Sequence, residues 1–468
     1  MKRLTPLLLL FTVIFSLQAQ NEEPQDYQAH EWGTFTTVQG SDGTYLSGLY
    51  KEEEHLPNFV YHHNGFSPDA AVQKGIYKEA ANVTVKMETP VVYFYSKDAL
   101  DVNVRVDFPR GSISQWYPQR TDGEANPVNI DLDFAESYEG WIEWDAKILE
   151  PNSNAEINTN KNDETNTWIR PRETDANLVK CGDEVEKFLF YRGVGNFELP
   201  LSLKMPNDKT LLLNNSGDED ISYVFIYEKW PEENPRVWWT GGLSAGGQKE
   251  VEAPETSLTD EAMEAAFKEF IEALTEAGLY EKEAKSMLNT WHESYFNSYG
   301  IKVFWVVPPK LTDKILPIQL DPAPSELERV LVGRSEILSP SFERQLVTEI
   351  YGKEQLNPWT KDRYYLAYME RVQQLIVLQD NSATTHYAPD VFDVFPNPTN
   401  DGVWIDLLED RSYSSYQLVS TNGTIVKEEQ ITPKQFLFFI KLEGIKPGTY
   451  YLHLVGHDDL EPLPVVVL

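Results

Sequence analysis

The stretch VVYFYSKDALDVNVRVDF, residues 91–108, sets the structural character of the first half of the chain. Its apolar residues fall into two runs, 91–95 and 102–108, with polar residues between them. Both runs have the length of a β-strand and are too short for a membrane-spanning helix. The stretch therefore predicts two β-strands that follow each other along the chain.

The same pattern continues on both sides of this stretch. Further short apolar runs occur at residues 141–148, 188–191, 199–203, 211–213 and 223–227. Gly, Pro, Asn and Asp interrupt them, and such regular alternation of strand and turn signals is typical of β-sandwiches. Residues 27–255 are therefore predicted to form a β-rich, sandwich-like unit of mainly antiparallel strands.

The apolar period changes after Ser257. Two segments carry apolar residues at helical spacing and predict a helical hairpin; the residues are Met263, Phe267, Phe270, Ile271 and Leu274, then Ala284, Met287, Leu288, Trp291 and Tyr295. A strand is expected at 303–307. Further helices are expected to open at Ser325, in capping-box relation to Glu328, at Pro340 and at Asn357-Pro358. Residues 256–385 are thus predicted to be mostly helical, which makes the body, residues 27–385, an α+β structure.

The N-terminal residues predict a secretory signal peptide. Lys2 and Arg3 precede a short apolar stretch, and small and polar residues follow near Ala19, which is the usual order of such a signal. We assign residues 1–20 to it and expect no transmembrane segment in the mature chain. The alternative, a membrane anchor, needs about 20 apolar residues, and the stretch is shorter.

The charge of the chain limits its partners. The formal net charge is −34, and Lys and Arg form no dense cluster. Nucleic acid is therefore an unsuitable partner, because phosphate backbones attract basic surfaces. Cys181 is the single cysteine, so stability cannot come from an intrachain disulfide.

Residues 390–468 form a second β-patterned unit, of ordinary domain size. Three motifs occur in order, VFPNPTNDG (394–402), STNGTIV (420–426) and LEGIKPGTYYLHLV (442–455). Asn422-Gly423 is the pair that a two-residue hairpin turn selects. Together the motifs resemble the type A sorting domain of type IX secretion, a family of small Ig-like β-sandwiches. The resemblance implies a partner, the type IX machinery, and passage through the periplasm to the outer-membrane surface or the medium. Members commonly end in a Lys-containing strand, whereas this chain ends in PVVVL (464–468), so release and surface attachment both remain open.

The body also resembles a family of large secreted bacterial proteins, through four motifs. They are HEWGTFTTVQGSDG (30–43), KMETPVVYFYS (86–96), YRGVGNFELPL (191–201) and VGRSEILSP (332–340). The resemblance implies one continuous body and assigns no activity and no catalytic residue.

A divalent metal ion is the cofactor that the histidines suggest. His30 and Glu31 begin like a zinc peptidase motif, but Thr34 stands where its second histidine is required. A looser site could gather His30, Glu31, His62 and His63, with His55 nearby, from separate β loops. The competing interpretation is that these residues are hydrogen-bonded parts of the core.

Aromatic pairs offer a different kind of site. Flat rings can stack on sugars, and three pairs are candidates, Trp141/Trp144, Trp238/Trp239 and Trp116/Tyr117. Core packing is the competing role. Two functions follow for the body, an enzyme acting on an extracellular polymer or a non-catalytic carbohydrate-binding or adhesion protein. The sequence does not choose between them, and the oligomeric state is likewise open.

Overall fold

The computed structural model describes residues 25–49, 56–63, 82–125, 138–162, 165–351, 364–380, 392–395, 402–407, 413–421, 423–431, 437–442, 444–456 and 462–467. The predicted signal peptide, His55, Asn422 and the helix start predicted at Asn357 lie outside these residues. Among the described helices, none combines the length and apolar character needed to cross a membrane.

The body is built mainly of β-strands. Its strands are β1 Gln25–Gln39, β2 Tyr61–His62, β3 Val85–Met87, β4 Val91–Ser96, β5 Leu100–Pro109, β6 Gly111–Tyr117, β7 Asp122–Gly123, β8 Glu139–Ile148, β9 Val179–Cys181, β10 Glu184–Glu186, β11 Leu189–Gly195, β12 Leu201–Asn207, β13 Thr210–Asn215, β14 Ile221–Lys229, β15 Arg236–Leu243, β16 Gln248–Glu252, β17 Gly300–Val306, β18 Ile318–Asp321 and β19 Pro324–Ile337. Strands were thus predicted correctly at every run named above, and the longer strands β1, β6, β15 and β19 are among those that were missed.

Sixteen of the described strands form one sheet. Its main path is β10-β9-β8-β6-β11-β3-β1-β19-β17-β14-β15, and β2, β4, β5, β7 and β18 attach beside it. Strands β12, β13 and β16 form a separate antiparallel sheet. The predicted antiparallel character holds for most pairs, but the long central pair β1 and β19 is parallel.

The central strands are buried on both faces. On β1, Phe35 joins a core that includes Leu203 and Leu213 of the small sheet, whereas Trp32 joins a core beneath the helices. Neighbouring residues of a strand point to opposite faces, so the sheet lies between the small sheet and the helices. Gly333 on β19 permits this packing, since a Cβ there would stand 2.3 Å from the Trp305 indole.

The helix predicted at Ser325 was wrong, because that segment is strand β19. Ser325 and Glu328 have capping-box spacing, but Val330 and Val332 bury their side chains in the helix-facing core while pairing with β1. Burial in the sheet outweighs the local helix signal. Because β17, β18 and β19 all belong to the large sheet, residues 256–385 are also less helical than predicted.

The helices of the body are α1 Asn166–Ile169, α2 Asp260–Glu276, α3 Glu281–Trp291, α4 Pro309–Ile315, α5 Pro340–Tyr351 and α6 Tyr365–Asp380, and a π-helix, His292–Phe296, continues α3. The predicted hairpin is α2 and α3. Both pack on the sheet through their aromatic side chains, with Phe270 stacked on Phe225 at 5.1 Å and Trp291 on Phe304 at 6.0 Å between ring centroids. The predicted helix stripes therefore face the sheet.

The C-terminal unit consists of two sheets around its own core. Its strands are β20 Phe392–Phe395, β21 Gly402–Leu407, β22 Ser415–Ser420, β23 Ile425–Gln430, β24 Leu437–Lys441, β25 Gly448–Val455 and β26 Leu463–Val467. One sheet has the order β20-β21-β24 and the other β23-β22-β25-β26. Side chains from both, such as Ile405 and Leu452, share one apolar cluster, which is a sandwich arrangement.

The hairpin predicted at Asn422-Gly423 joins β22 and β23. The backbone N–H of Ser420 donates to the carbonyl of Thr424 at 2.8 Å, which leaves three residues in the loop and not the predicted two. Gly423 has φ +83°. Three-residue hairpin loops place a left-handed residue at this position, which explains the glycine.

Candidate functional site

His30 lies in the middle of β1 and is bonded to helix α3. Its Nδ1 lies 2.9 Å from Glu283 Oε2, and both side chains are buried. Glu283 also accepts hydrogen bonds from the Tyr95 hydroxyl at 2.7 Å and the Tyr280 backbone N–H at 2.7 Å. Burial, and then the charge of Glu283, raise the pKa of Tyr95 far above its usual range. His30 therefore ties the start of α3 to the sheet.

Glu31 points to the opposite face of the sheet, as the next residue of a strand must. Its Oε2 accepts two hydrogen bonds from Arg329, at 2.8 Å from Nε and 2.6 Å from Nη2. Its Oε1 accepts the Tyr191 hydroxyl at 2.5 Å. Burial opposes the charge on Arg329, yet Glu31 and Tyr191 hold its pKa above the ordinary value.

His62 and His63 lie beside strand β6. The backbone N–H of His63 donates to the Ser114 carbonyl at 2.9 Å, and its ring meets the Trp116 indole edge-on at 4.9 Å. Burial first, and then the neighbouring charge of Arg120, lower the pKa of His63 to about 4. The imidazole is therefore neutral at physiological pH.

These four residues do not come together in the structure. Within the described ranges, no group of three or more His, Cys, Asp or Glu side chains is arranged to hold a metal ion. His30 and Glu31 occupy opposite faces of β1 and have other partners. A metal site that joins His30, Glu31, His62 and His63 remains a prediction, and metal analysis of the purified protein tests it.

Sequence reasoning missed the carboxylate with the most altered environment near β6. Glu124 is buried and accepts hydrogen bonds from Ser112 Oγ at 3.0 Å, from the Tyr138 hydroxyl at 2.7 Å and from the Ile113 backbone N–H. Burial raises its pKa to about 7, against the opposing effect of these donors. Glu124 stands in a loop without a motif, so the sequence carried no signal for it.

The outward face of β5 and β8 carries a second polar network. Inward residues such as Val104 and Trp144 are buried, while their neighbours point outward. Asn103 Nδ2 donates to Glu143 and Asp145, each at 2.9 Å. Arg105 pairs with Asp107 at 2.7 Å. The alternation of both strands therefore produces a polar outer surface.

An open groove of about 560 Å³ lies at one end of this face. Carboxylates, an amide and ammonium groups line its walls, and they are contributed by Asp101, Asn103, Asp145, Lys147, Lys180 and Asp321. The strands that supply them, β5, β8, β9 and β18, are neighbours in the sheet. The groove can therefore offer hydrogen-bond donors and acceptors side by side.

The candidate aromatic pairs divide between core and surface. Trp144, Trp116, Tyr117 and Trp238 are buried, which leaves Trp141 and Trp239 partly exposed. The Arg105 guanidinium lies 4.1 Å from the centroid of the Trp141 ring. Trp141 shares the outward face of β8 with Asp145, and about 13 Å of strand separates them. Trp141 therefore adds an aromatic ring to this outer face, outside the groove.

Comparisons with known proteins identify the C-terminal unit. Residues 393–461 match the family model of the secretion system C-terminal sorting domain. A search of curated proteins gave no match.

Solved structures offer weaker likenesses. The yeast delta-COP-I mu-homology domain is 10% identical, with 68% of this chain and 99% of that chain covered and a TM-score of 0.26. Dimeric latent PorU from Porphyromonas gingivalis (10% identity, 82% of this chain, 31% of that chain) and the BSP domain of a biofilm associated protein (10%, 91%, 84%) both have a TM-score of 0.14. Scores this low establish neither fold nor function. The sorting domain carries the assignment by itself, and it marks the chain for export to the cell surface or the medium.

Proposed function

We propose that this chain is type IX secretion cargo whose body binds an extracellular polysaccharide through the outward face of β5 and β8. In this proposal residues 1–20 direct the chain into the periplasm, and residues 390–468 engage the type IX machinery for passage through the outer membrane. The sorting-domain match supports the second step.

The observation that carries the binding proposal is the open groove with Trp141 on the same face. Sugar hydroxyls act as both donors and acceptors, and the groove supplies Asp145 and Asp321 as acceptors and Lys147 as a donor. A partly exposed indole beside polar groups is suited to the apolar face of a sugar ring. An open groove admits a chain that continues past both ends, which suits a polymer.

The experiment measures binding of the purified mature protein to a panel of neutral and acidic polysaccharides by affinity electrophoresis. Asp145→Ala and Asp321→Ala are each expected to weaken binding about tenfold, because each removes a charged hydrogen-bond acceptor. Glu255→Ala is the matched control, since it removes a carboxylate from an exposed loop elsewhere. Trp141→Ala is expected to weaken binding as well.

Unchanged binding in both aspartate variants would exclude this face as the binding site. Absence of binding to every polysaccharide in the panel would contradict the function itself. The enzyme hypothesis is tested in the same mixtures by measuring released reducing ends. Product formation that stops in Asp145→Ala would replace binding with hydrolysis at this face.

A further inference from the structure

Three polar atoms at or beside the Trp116 indole have no hydrogen-bond partner among the described residues. They are His63 Nε2, Trp116 Nε1 and Arg120 Nη1. Two of the side chains are nearly closed to solvent, with 3% of His63 and 6% of Trp116 exposed. Arg120 is partly exposed.

The fold brings these three residues together. The short strand β2 pairs with β6 in a register that sets Tyr61 opposite Trp116, and His63, two residues further on, lies on the same face. The His63 ring then packs against Trp116 from one side. The Arg120 guanidinium lies 4.2 Å from the centroid of the same indole and is anchored by donation from Nη2 to the Glu124 carbonyl at 2.9 Å.

A group of buried polar atoms without partners points to a ligand. Nearly all buried polar atoms in proteins are hydrogen-bonded, and each one left without a partner is destabilising. Here three such atoms belong to side chains that contact one another around one indole.

The charge of Arg120 favours an anion. Burial lowers the pKa of Arg120, whereas the charges of Glu124 and Asp122 act in the opposite direction. Within the part of the chain that the structure describes, no carboxylate side chain lies at ion-pair distance from Arg120. Its Nη1 has no hydrogen-bond partner there and can donate to an anion.

We propose that His63, Trp116 and Arg120 bind an oxyanion, such as the carboxylate of an acidic sugar. Arg120 and the indole N–H donate to the oxyanion, and His63 donates through Nε2 in the matching tautomer. The ligand enters from the side of Arg120, the partly exposed member. This site uses β2 and β6, so it stands or falls independently of the face on β5 and β8.

The test is an NMR titration of the mature protein with ¹⁵N-labelled histidine, in which His63→Gln identifies the His63 signal. Sodium glucuronate, phosphate and sulfate are compared with sodium chloride at equal ionic strength. We expect a saturable shift of the His63 signal with glucuronate. Saturation by glucuronate alone indicates a hydroxyl-bearing ligand, whereas equal saturation by phosphate or sulfate assigns the site to free oxyanions.

Arg120→Gln is expected to weaken the interaction about tenfold, through loss of a charged hydrogen bond. Arg170→Gln is the control, because it removes the same charge from an exposed position. Trp116→Phe keeps an aromatic ring without the N–H and should weaken binding about fivefold, which supplies a second test if Arg120→Gln does not fold. A His63 signal unmoved by all three anions, or equal binding in Arg120→Gln, would overturn the proposal.

Discussion

Arg329 Nη2 lies 2.6 Å from Glu31 Oε2 in the buried centre of the sheet. The two residues stand opposite each other in the parallel pair β1 and β19, although 298 positions separate them along the chain. Glu31 is fully buried, and only 6% of the Arg329 side chain is exposed. This ion pair therefore joins β1 to β19, the first and the last strand described in the body.

Breaking the pair should destabilise the body strongly. Glu31→Gln or Arg329→Met is each expected to lower the free energy of unfolding by about 3–5 kcal/mol, because either change removes the buried opposite charge of the other group. Among the described residues, Arg329 then keeps only the exposed Asp313 as an ion-pair partner, and Glu31 keeps only the Tyr191 hydroxyl. The double variant should lose less than the sum of the two losses. Urea unfolding of the three variants measures this. Single losses below about 1 kcal/mol would contradict the burial of the pair.

Two phenylalanines of helix α2 should differ in how strongly they stabilise the body. Phe270→Ala should cost about 3–5 kcal/mol, because Phe270 is fully buried against Phe225. Phe267 is only partly buried, so Phe267→Ala should cost about 1–2 kcal/mol. Thermal and urea unfolding of the two variants give the comparison. A larger loss for Phe267 would mean that α2 presents a different face to the sheet.

Glu124 gives the body a pH-dependent stability. Its pKa is about 7 in the folded chain against 4.5 ordinarily, so between these values the folded state holds a proton that the unfolded chain has released. Its contribution is present below pH 4.5 and is lost as pH rises through 7. From pH 5.5 to 8.5 the wild type should lose about 2 kcal/mol relative to Glu124→Gln. A difference between the two proteins that does not vary with pH would contradict the raised pKa.

The spacing of apolar residues predicted those helices and strands whose period is visible within one segment of the sequence. The alternation through Val104 and Val106 identifies β5, and the stripe through Phe270 and Leu274 identifies α2, because each period is visible within one segment. Strand β19 was mistaken for a helix because Ser325 and Glu328 have the spacing of a helix capping box. One of its two partners, β1, is remote in sequence, and no local period reveals a parallel pairing across that distance.

The candidate sites were harder to predict for the same reason. His30 and Glu31 resemble the start of a metal-binding motif. In the strand, however, their side chains lie on opposite faces, where His30 is bonded to Glu283 and Glu31 is bonded to Arg329. His63 was named without its neighbours. The sequence does not show that Trp116 and Arg120 lie beside it, since only the pairing of β2 with β6 brings them there.

The central claim, that residues 390–468 are an export address, is tested most directly by a reporter fusion. The described part of this unit has a core of its own, from Val403 to Val467, that shares no residue with the cores of the body. A signal-peptide-bearing reporter fused to residues 390–468 should appear outside a type IX-competent cell, while the same reporter without the unit, or with Leu452→Asp in its core, stays in the periplasm. Removing residues 390–468 from the chain should correspondingly leave a folded body in the periplasm. Periplasmic retention of the intact fusion, measured by cell fractionation, would contradict the claim.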